Sequence, residues 1–375
     1  MVPPMGEGSE AVSGQEEPPG RPPSASRRRR LIRVALVGVV ALAVLLGAAG
    51  TVLYFKLDGN ISQIDIEEAL GGDRPEDSDN GSTDVLVLGS DTRTGENGSF
   101  GGDDPDGEAR SDTAMILHVN EDHDAATVVS IPRDTIVPRP ACERVDGEGE
   151  APAVERTMFN EAYGVGGPVC AVKTVEAMTG LRMDHFLEVD FAGFERLVDA
   201  LGGVEVTTSE AIEDSDSHLR LSAGTHTLSG RESLALVRTR KAVGDGSDLG
   251  RIQLQQSFLR SLMTQVDGVD LMGNPKRLYD LADTATSALT TDSDLASVRK
   301  LVDFTRTLGD VGPDATQMVT LPVGYDPADP NRVAPLTEQS RQVWDALRED
   351  RPVPRSAIRD SAAEEGGADD VILRG

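Results

Sequence analysis

The sequence predicts an α/β fold, a central mixed β-sheet sandwiched by helices and preceded by one transmembrane helix. Three observations lead there. "TDVLVLGSD", "TAMILHVN" and "AATVVSIPRD" are short apolar runs bounded by turn residues, the texture of buried strands. Later segments repeat apolar residues at helical spacing, and strands mixed with helices suit a layered sandwich. Near the start, Val34 to Phe55 form an uncharged apolar run of 22 residues.

Taken in chain order, residues 1–30 are rich in Pro, Gly, Ser and Glu and read as a disordered cytoplasmic tail. Residues 31–55 read as a signal-anchor helix. Twenty-two helical residues span about 33 Å against a hydrocarbon core of roughly 30 Å. A cleaved signal peptide is the rival, but its apolar region is usually shorter. Arg27 to Arg30 and Arg33 precede the run, which keeps the N-terminus cytoplasmic and sends the rest outside. Residues 56–82, with "GGDRPEDSDNGST", read as a polar extracytoplasmic linker. The main domain is expected over 83–325. "GGPVCAVKTVEAMTGL" and "FAGFERLVDALGG" are helices stopped by glycine, and "YGVGGP" reads as a turn before the first of them. "DHFLEVDF" and "VEVTT" read as strands, and "LRLSAGTHTLSGRESLALVRTR" as a hairpin followed by a short helix. Residues 326–375 are expected to be a weakly structured extension with a disordered acidic tail.

The chain carries a net charge of −28. Residues 1–33 hold six Arg against four Glu, so the exported part is more acidic still. Such a surface repels phosphate polymers, which argues against nucleic-acid binding and makes any local cation cluster conspicuous. The two cysteines, Cys142 and Cys170, read as a disulfide in an oxidising compartment. They are too few for a cysteine zinc site, and no HExxH is present. Ser90 lacks the GxSxG elbow of a serine hydrolase, and "YGVGGP" lacks a Walker lysine.

Cations gather in "LVRTRKAVGDGSDLGRIQLQQ". At about 100° per residue, Asp248, Arg251 and Gln255 share a helix stripe with Ile252, Phe258, Leu259 and Leu262. Gln253, Ser257 and Arg260 take the opposite side. Polar residues opening an apolar stripe face inward, where charges need partners. An internal ion pair is the plain alternative. Arg238 and Arg240 add a guanidinium pair suited to phosphate oxygens. Three strand ends carry similar chemistry: Asp91 and Arg93 in "LVLGSDTR", Arg110 and Asp112 in "ARSDTAMILHV", Arg133 and Asp134 in "VVSIPRD". Two aspartates are what Mg²⁺ usually takes from protein when phosphates complete its shell. Residues and spacing together point to Mg²⁺-dependent phosphoryl transfer outside a membrane.

These motifs, in this order over roughly residues 83–266, resemble the LytR–CpsA–Psr family of cell-wall ligases. The matching pieces are "LVLGSDTR", "RSDTAMIL", "VVSIPRDT", "FNEAYGVGGP", "DHFLEVDFAGFERLVDALGGVEV", "LSAGTHTLSGRESLALVRTRK" and "SDLGRIQLQQSFL". The cysteines flanking "FNEAYGVGGPVC" resemble the actinobacterial branch. The resemblance implies transfer of a glycan with one phosphate from a polyprenyl-pyrophosphate carrier to a peptidoglycan hydroxyl. It implies Asp91 and Asp112 as ligands of Mg²⁺, or of Mn²⁺ in its place. Arg93, Arg110, Arg133, Arg238, Arg240 and Arg251 would contact the pyrophosphate, with Asp248 and Gln255 orienting them. Phe258, Leu259 and Leu262 would line an apolar lipid pocket or simply pack the core. A pyrophosphatase and a non-catalytic binder of lipid-linked intermediates are the alternatives. The sequence departs from the family pattern at Met158 and Leu254, where basic residues are expected, and at Ile136.

Overall fold

A seven-stranded mixed sheet organises the computed structural model, which describes residues 25–72, 74–91, 110–239, 248–267, 274–308, 311–359, 361–362 and 371–373. The chain divides into two units, Met1–Leu53 and Tyr54–Gly375. Helix α1 (Ala25–Asp58) contains the stretch Gly38–Asp58, long and apolar enough to cross a membrane.

The sheet strands are β1 (Ser62–Ile64), β2 (Thr83–Asp91), β3 (Arg110–Val119), β4 (Ala126–Ile131), β5 (His185–Asp190), β6 (Leu289–Asp292) and β7 (Thr316–Thr320). Their spatial order is β1-β6-β5-β2-β3-β4-β7. Strand β3 is antiparallel to β2 and β4, whereas β5 runs parallel to β2. Period-two alternation sends Leu86, Leu88, Ile116, Val129 and Ile131 to one face, all essentially inaccessible. They form the main core with Phe159, Tyr163, Val172 and Val175 of α3 (Phe159–Thr179).

A second core joins α4 (Phe191–Ala200), α5 (Gly230–Arg238) and α6 (Asp248–Asp267) to a small sheet, through Val198, Val206, Leu236, Leu254 and Phe258. Strand Gly224–Leu228 pairs with Val204–Thr208, and Leu219–Leu221 with Ile212–Asp214. The two halves of "LRLSAGTHTL" therefore form no hairpin with each other. Val204, Val206 and Leu228 bury together in the second core, and that decides the pairing.

Helix α3 begins at Phe159, before "YGVGGP", and kinks inside it. Gly167 has φ +62, and a Cβ on Gly166 would lie 2.6 Å from the Glu143 carbonyl oxygen and 2.7 Å from the Cys170 Cβ. Glycine here lets α3 approach the Cys142–Cys170 disulfide, which is formed.

Residues 62–70, read as linker, supply β1 and the short helix α2 (Ile66–Leu70). Ile66 and Leu70 enter the main core, and Arg74 pairs at 2.5 Å with buried Glu176. Beyond α7 (Pro275–Ala288) and α8 (Val298–Thr307), the C-terminal segment is also built in. A hairpin (Val323–Asp326, Asp329–Pro335) leads to α9 (Thr337–Arg348), whose Val343, Trp344 and Leu347 belong to the main core.

Candidate active site

Antiparallel β2–β3–β4 pairing, with β5 parallel to β2, brings four strand ends to one sheet edge. These are Asp91 ending β2, Arg110 opening β3, Arg133 and Asp134 following β4, and Asp190 ending β5. The β2–β3 register shifts here: Gly89 pairs with Thr113 but Ser90 with Ser111, leaving Asp112 as the extra residue. A β-bulge re-aims a side chain, and this one sets Asp112 toward Arg133.

Asp112 and Arg133 form an ion pair. Arg133 Nε also lies 3.6 Å from Asp248 and 3.9 Å from Asp134. Arg251, 4% exposed, reaches the Asp248 carboxylate at 2.5 Å and donates to the Asp112 carbonyl at 3.1 Å. Arg332 closes the cluster at 3.3 Å from Asp134. Burial opposes the charged form of Arg133, but Asp112, Asp248 and Asp134 outweigh it and raise its pKa. Burial lowers the pKa of Arg251 despite Asp248. Burial and the charge of Asp248 raise Asp134 above the ordinary carboxylate range, against Arg133, Arg332 and Arg251. Among the described residues, the buried Nε donors of Arg133 and Arg251 make no hydrogen bond. Buried donors without a hydrogen bond are rare, and for the Arg133 Nε the Asp248 carboxylate stands just beyond bonding distance at 3.6 Å.

Arg238, ending α5, lies over the Phe191 ring at 4.8 Å, a cation–π contact at the start of α4. Gln255 donates at 2.9 Å to the carbonyl of neighbouring Val237, fixing α6 to α5. Arg93, Arg240 and the side chain of Arg110 lie outside the described residues. Gln253, expected on the solvent side of α6, is buried with everything from Leu249 to Gln256, because both cores enclose the first turns. Leu254 is fully buried in the second core. The position of the missing arginine is therefore an apolar core site. Sequence reading overlooked Arg332, which sits on the hairpin after the expected domain end and carries no motif.

The opposite sheet face is less well covered. Val87, Met115, Leu117, Leu187 and Val189 are only half-buried, and α8 contributes no fully buried residue. Leu259 and Leu262 of α6 are half-buried too. Phe258 is a core residue, 3% exposed, its ring 5.8 Å from that of Phe194. Below the site edge, Glu188 accepts a hydrogen bond from the Tyr163 hydroxyl at 2.5 Å. Burial raises its pKa, with Ser90 and Tyr163 acting against that.

Asp91 and Asp112 supply carboxylates on adjacent strands at the bulge. No group of three or more metal-ligating side chains occurs among the described residues. Of these two carboxylates, Asp112 is held in the ion pair with Arg133.

The LytR_cpsA_psr family model matches residues 53–349. The chain is 30% identical to the cell wall biosynthesis protein LcpA of Corynebacterium glutamicum, over 88% of its own length and 68% of LcpA. It is 30% identical to the polyisoprenyl-teichoic acid–peptidoglycan teichoic acid transferase TagT of Bacillus subtilis, over 83% and 91% of the two chains. A solved structure of a LytR-Csp2A-Psr enzyme from Actinomyces oris superposes with a TM-score of 0.58 at 25% identity, covering 76% of this chain and 95% of that one.

Proposed function

The chain belongs to the LytR–CpsA–Psr family, and from that premise we propose that it is a membrane-anchored phosphotransferase with an extracytoplasmic catalytic domain. Its donor is a glycan on a polyprenyl-pyrophosphate carrier, and its acceptor is a peptidoglycan hydroxyl. The observation that carries the reading is the pair of buried Nε donors on Arg133 and Arg251, which make no hydrogen bond among the described residues, at an edge bordered by a half-buried apolar sheet face. An anion on an apolar tail needs both features. A transferase of polyisoprenyl-linked teichoic acid among the relatives is consistent with it.

In this reading Arg133 and Arg251 hold the pyrophosphate, with Asp248 and the Asp112 carbonyl orienting the two forks. Arg238, braced by Phe191 and by Gln255 on the adjacent carbonyl, adds a third cation. Asp91 and Asp112 would hold Mg²⁺, which neutralises phosphate oxygens when bound. The acceptor hydroxyl attacks the glycan-bearing phosphorus, the bond from that phosphorus to the bridging oxygen breaks, and polyprenyl phosphate leaves. Asp134, with its raised pKa, takes the hydroxyl proton. Leu259, Leu262 and the open sheet face receive the first isoprene units.

The test places the full chain in lipid nanodiscs with a synthetic polyprenyl-pyrophosphate glycan, Mg²⁺ and peptidoglycan fragments. A phosphodiester-linked product is expected, lost in Arg238→Ala and Asp91→Ala and on chelation. Released sugar phosphate alone would identify a pyrophosphatase. Wild-type turnover in both variants would sink the catalytic assignment.

A further inference from the structure

Beside the cluster, a cavity of about 230 Å³ is lined by Pro132, Asp134, Asp248, Leu249 and, from the 323–335 hairpin, Tyr325 and Asn331 among others. Drug-sized ligands take roughly 300–1,000 Å³, so this space suits something smaller, about one sugar ring. Its walls combine apolar surface from Pro132, Leu249 and Val333 with carboxylates and an amide. Tyr325 is 54% exposed. Outside α1 it is the only aromatic among the exposed large hydrophobics of the described residues, in a chain with just four tyrosines. An open aromatic face beside hydrogen-bonding groups is what a pyranose, apolar on its C–H face and polar at its rim, requires.

The hairpin is held ready in this position. Val333 forms a parallel bridge with Thr135, Arg332 pairs with Asp134, and the Leu336 amide donates to the Pro322 carbonyl at 2.9 Å. The loop is tied by the Asp326 carboxylate, which accepts from Ala328 N, and by Asp329, which accepts from Asn331 N. Leu249 and Val333 belong to the main core, on the far side of the cluster from the half-buried sheet face. With the pyrophosphate at Arg133 and Arg251, the cavity adjoins it through Asp134 and Asp248, close enough for an acceptor hydroxyl held there to reach the phosphorus.

We propose that this cavity is the acceptor subsite, in which Tyr325 stacks on one N-acetylhexosamine ring of the glycan strand while Asn331 and Asp134 hydrogen-bond its polar rim. The inference rests on the transferase reading and adds to it the residues that choose the acceptor. Tyr325 and Asn331 come from a hairpin that straddles the expected domain end at residue 325. Arg332 has a second role here, holding the hairpin to the strand end that carries Arg133.

Binding and transfer are measured separately on the full chain in nanodiscs. The probe is a soluble tetrasaccharide of alternating N-acetylglucosamine and N-acetylmuramic acid. Tyr325→Ala is expected to weaken tetrasaccharide binding and raise its KM about tenfold, the size of one lost ring contact. Tyr325→Trp should restore most of it, and the affinity for the lipid-linked donor should stay at the wild-type value. Because Tyr325 is exposed, its variants should melt with wild type. Absence of wild-type tetrasaccharide binding, or equal binding by Tyr325→Ala, overturns the subsite. So does a donor affinity that falls in parallel with acceptor affinity. Tetrasaccharide binding that depends on Tyr325, without any transfer, would instead keep the subsite and overturn the transferase reading.

Discussion

Replacing Arg251 by methionine tests whether the cluster is a working site. Arg251 is 4% exposed and serves two acceptors, the Asp248 carboxylate at 2.5 Å and the Asp112 carbonyl at 3.1 Å. Breaking a buried pair from one side typically costs about 3–5 kcal/mol, because the remaining charge stays buried. Here Arg133 Nε, 3.6 Å from Asp248, compensates part of that charge. The lower end, about 3 kcal/mol, is therefore expected for Arg251→Met. Asp248→Asn should cost a similar amount, since it strands the Arg251 guanidinium. The double variant should lose less than the sum, with a coupling of about 2 kcal/mol. Denaturant titration followed by the fluorescence of Trp344, the single tryptophan and a main-core residue, measures all four proteins. Donor binding supplies the second reading: losing one charge-assisted contact of roughly 1.5–3 kcal/mol weakens affinity about 10- to 150-fold. Arg251→Lys should recover stability more than affinity, since an ammonium cannot reproduce the fork. Additive stability effects would show that Arg251 and Asp248 do not act as a pair. A donor affinity unchanged in Arg251→Met would leave an internal ion pair as the whole explanation of the cluster.

Two further outcomes follow from buried groups elsewhere. Leu254→Arg, which restores the family's second arginine, should abolish stable folding, because the position is fully buried in an apolar cluster with Val206, Leu236 and Phe258, where a charge is costly. Leu254→Met should cost less than about 1.5 kcal/mol, and normal melting of Leu254→Arg would disprove the core assignment. His118 bridges Asp84 at 2.9 Å and Asp350 at 3.0 Å; burial opposes its charge, but both aspartates outweigh it and raise its pKa above 6.5. The stabilisation is complete below the unfolded value and fades as pH rises through the raised folded value. The melting difference between wild type and Asp350→Asn should therefore narrow from pH 6 to pH 9, and a widening gap would contradict it.

What was legible in the sequence and what was not divide along one physical line, local pattern against non-local burial. Strand ends carrying Asp91, Asp112 and Arg133 were readable because alternation and turn residues act over a few positions. The inward turn of Arg251 was readable because helical periodicity is local too. The bulge that turns Asp112 toward Arg133 depends on β2–β3 register, which no short pattern encodes. The pairing of Gly224–Leu228 with Val204–Thr208 depends on which apolar residues share the second core. Arg332 reaches Asp134 only because the hairpin docks beside Thr135, nearly 200 positions earlier in the chain. The second half of the hairpin reads as tail for the same reason: its Val333 looks unremarkable until α9 closes over it with Trp344. Leu254 shows how the two levels combine. As a departure from a motif it suggests a weakened anion site, but with its side chain enclosed in the second core it leaves the contacts of Arg133 and Arg251 intact. A missing cation weakens a site only where its side chain would have pointed at the ligand, and at this position the fold points it away.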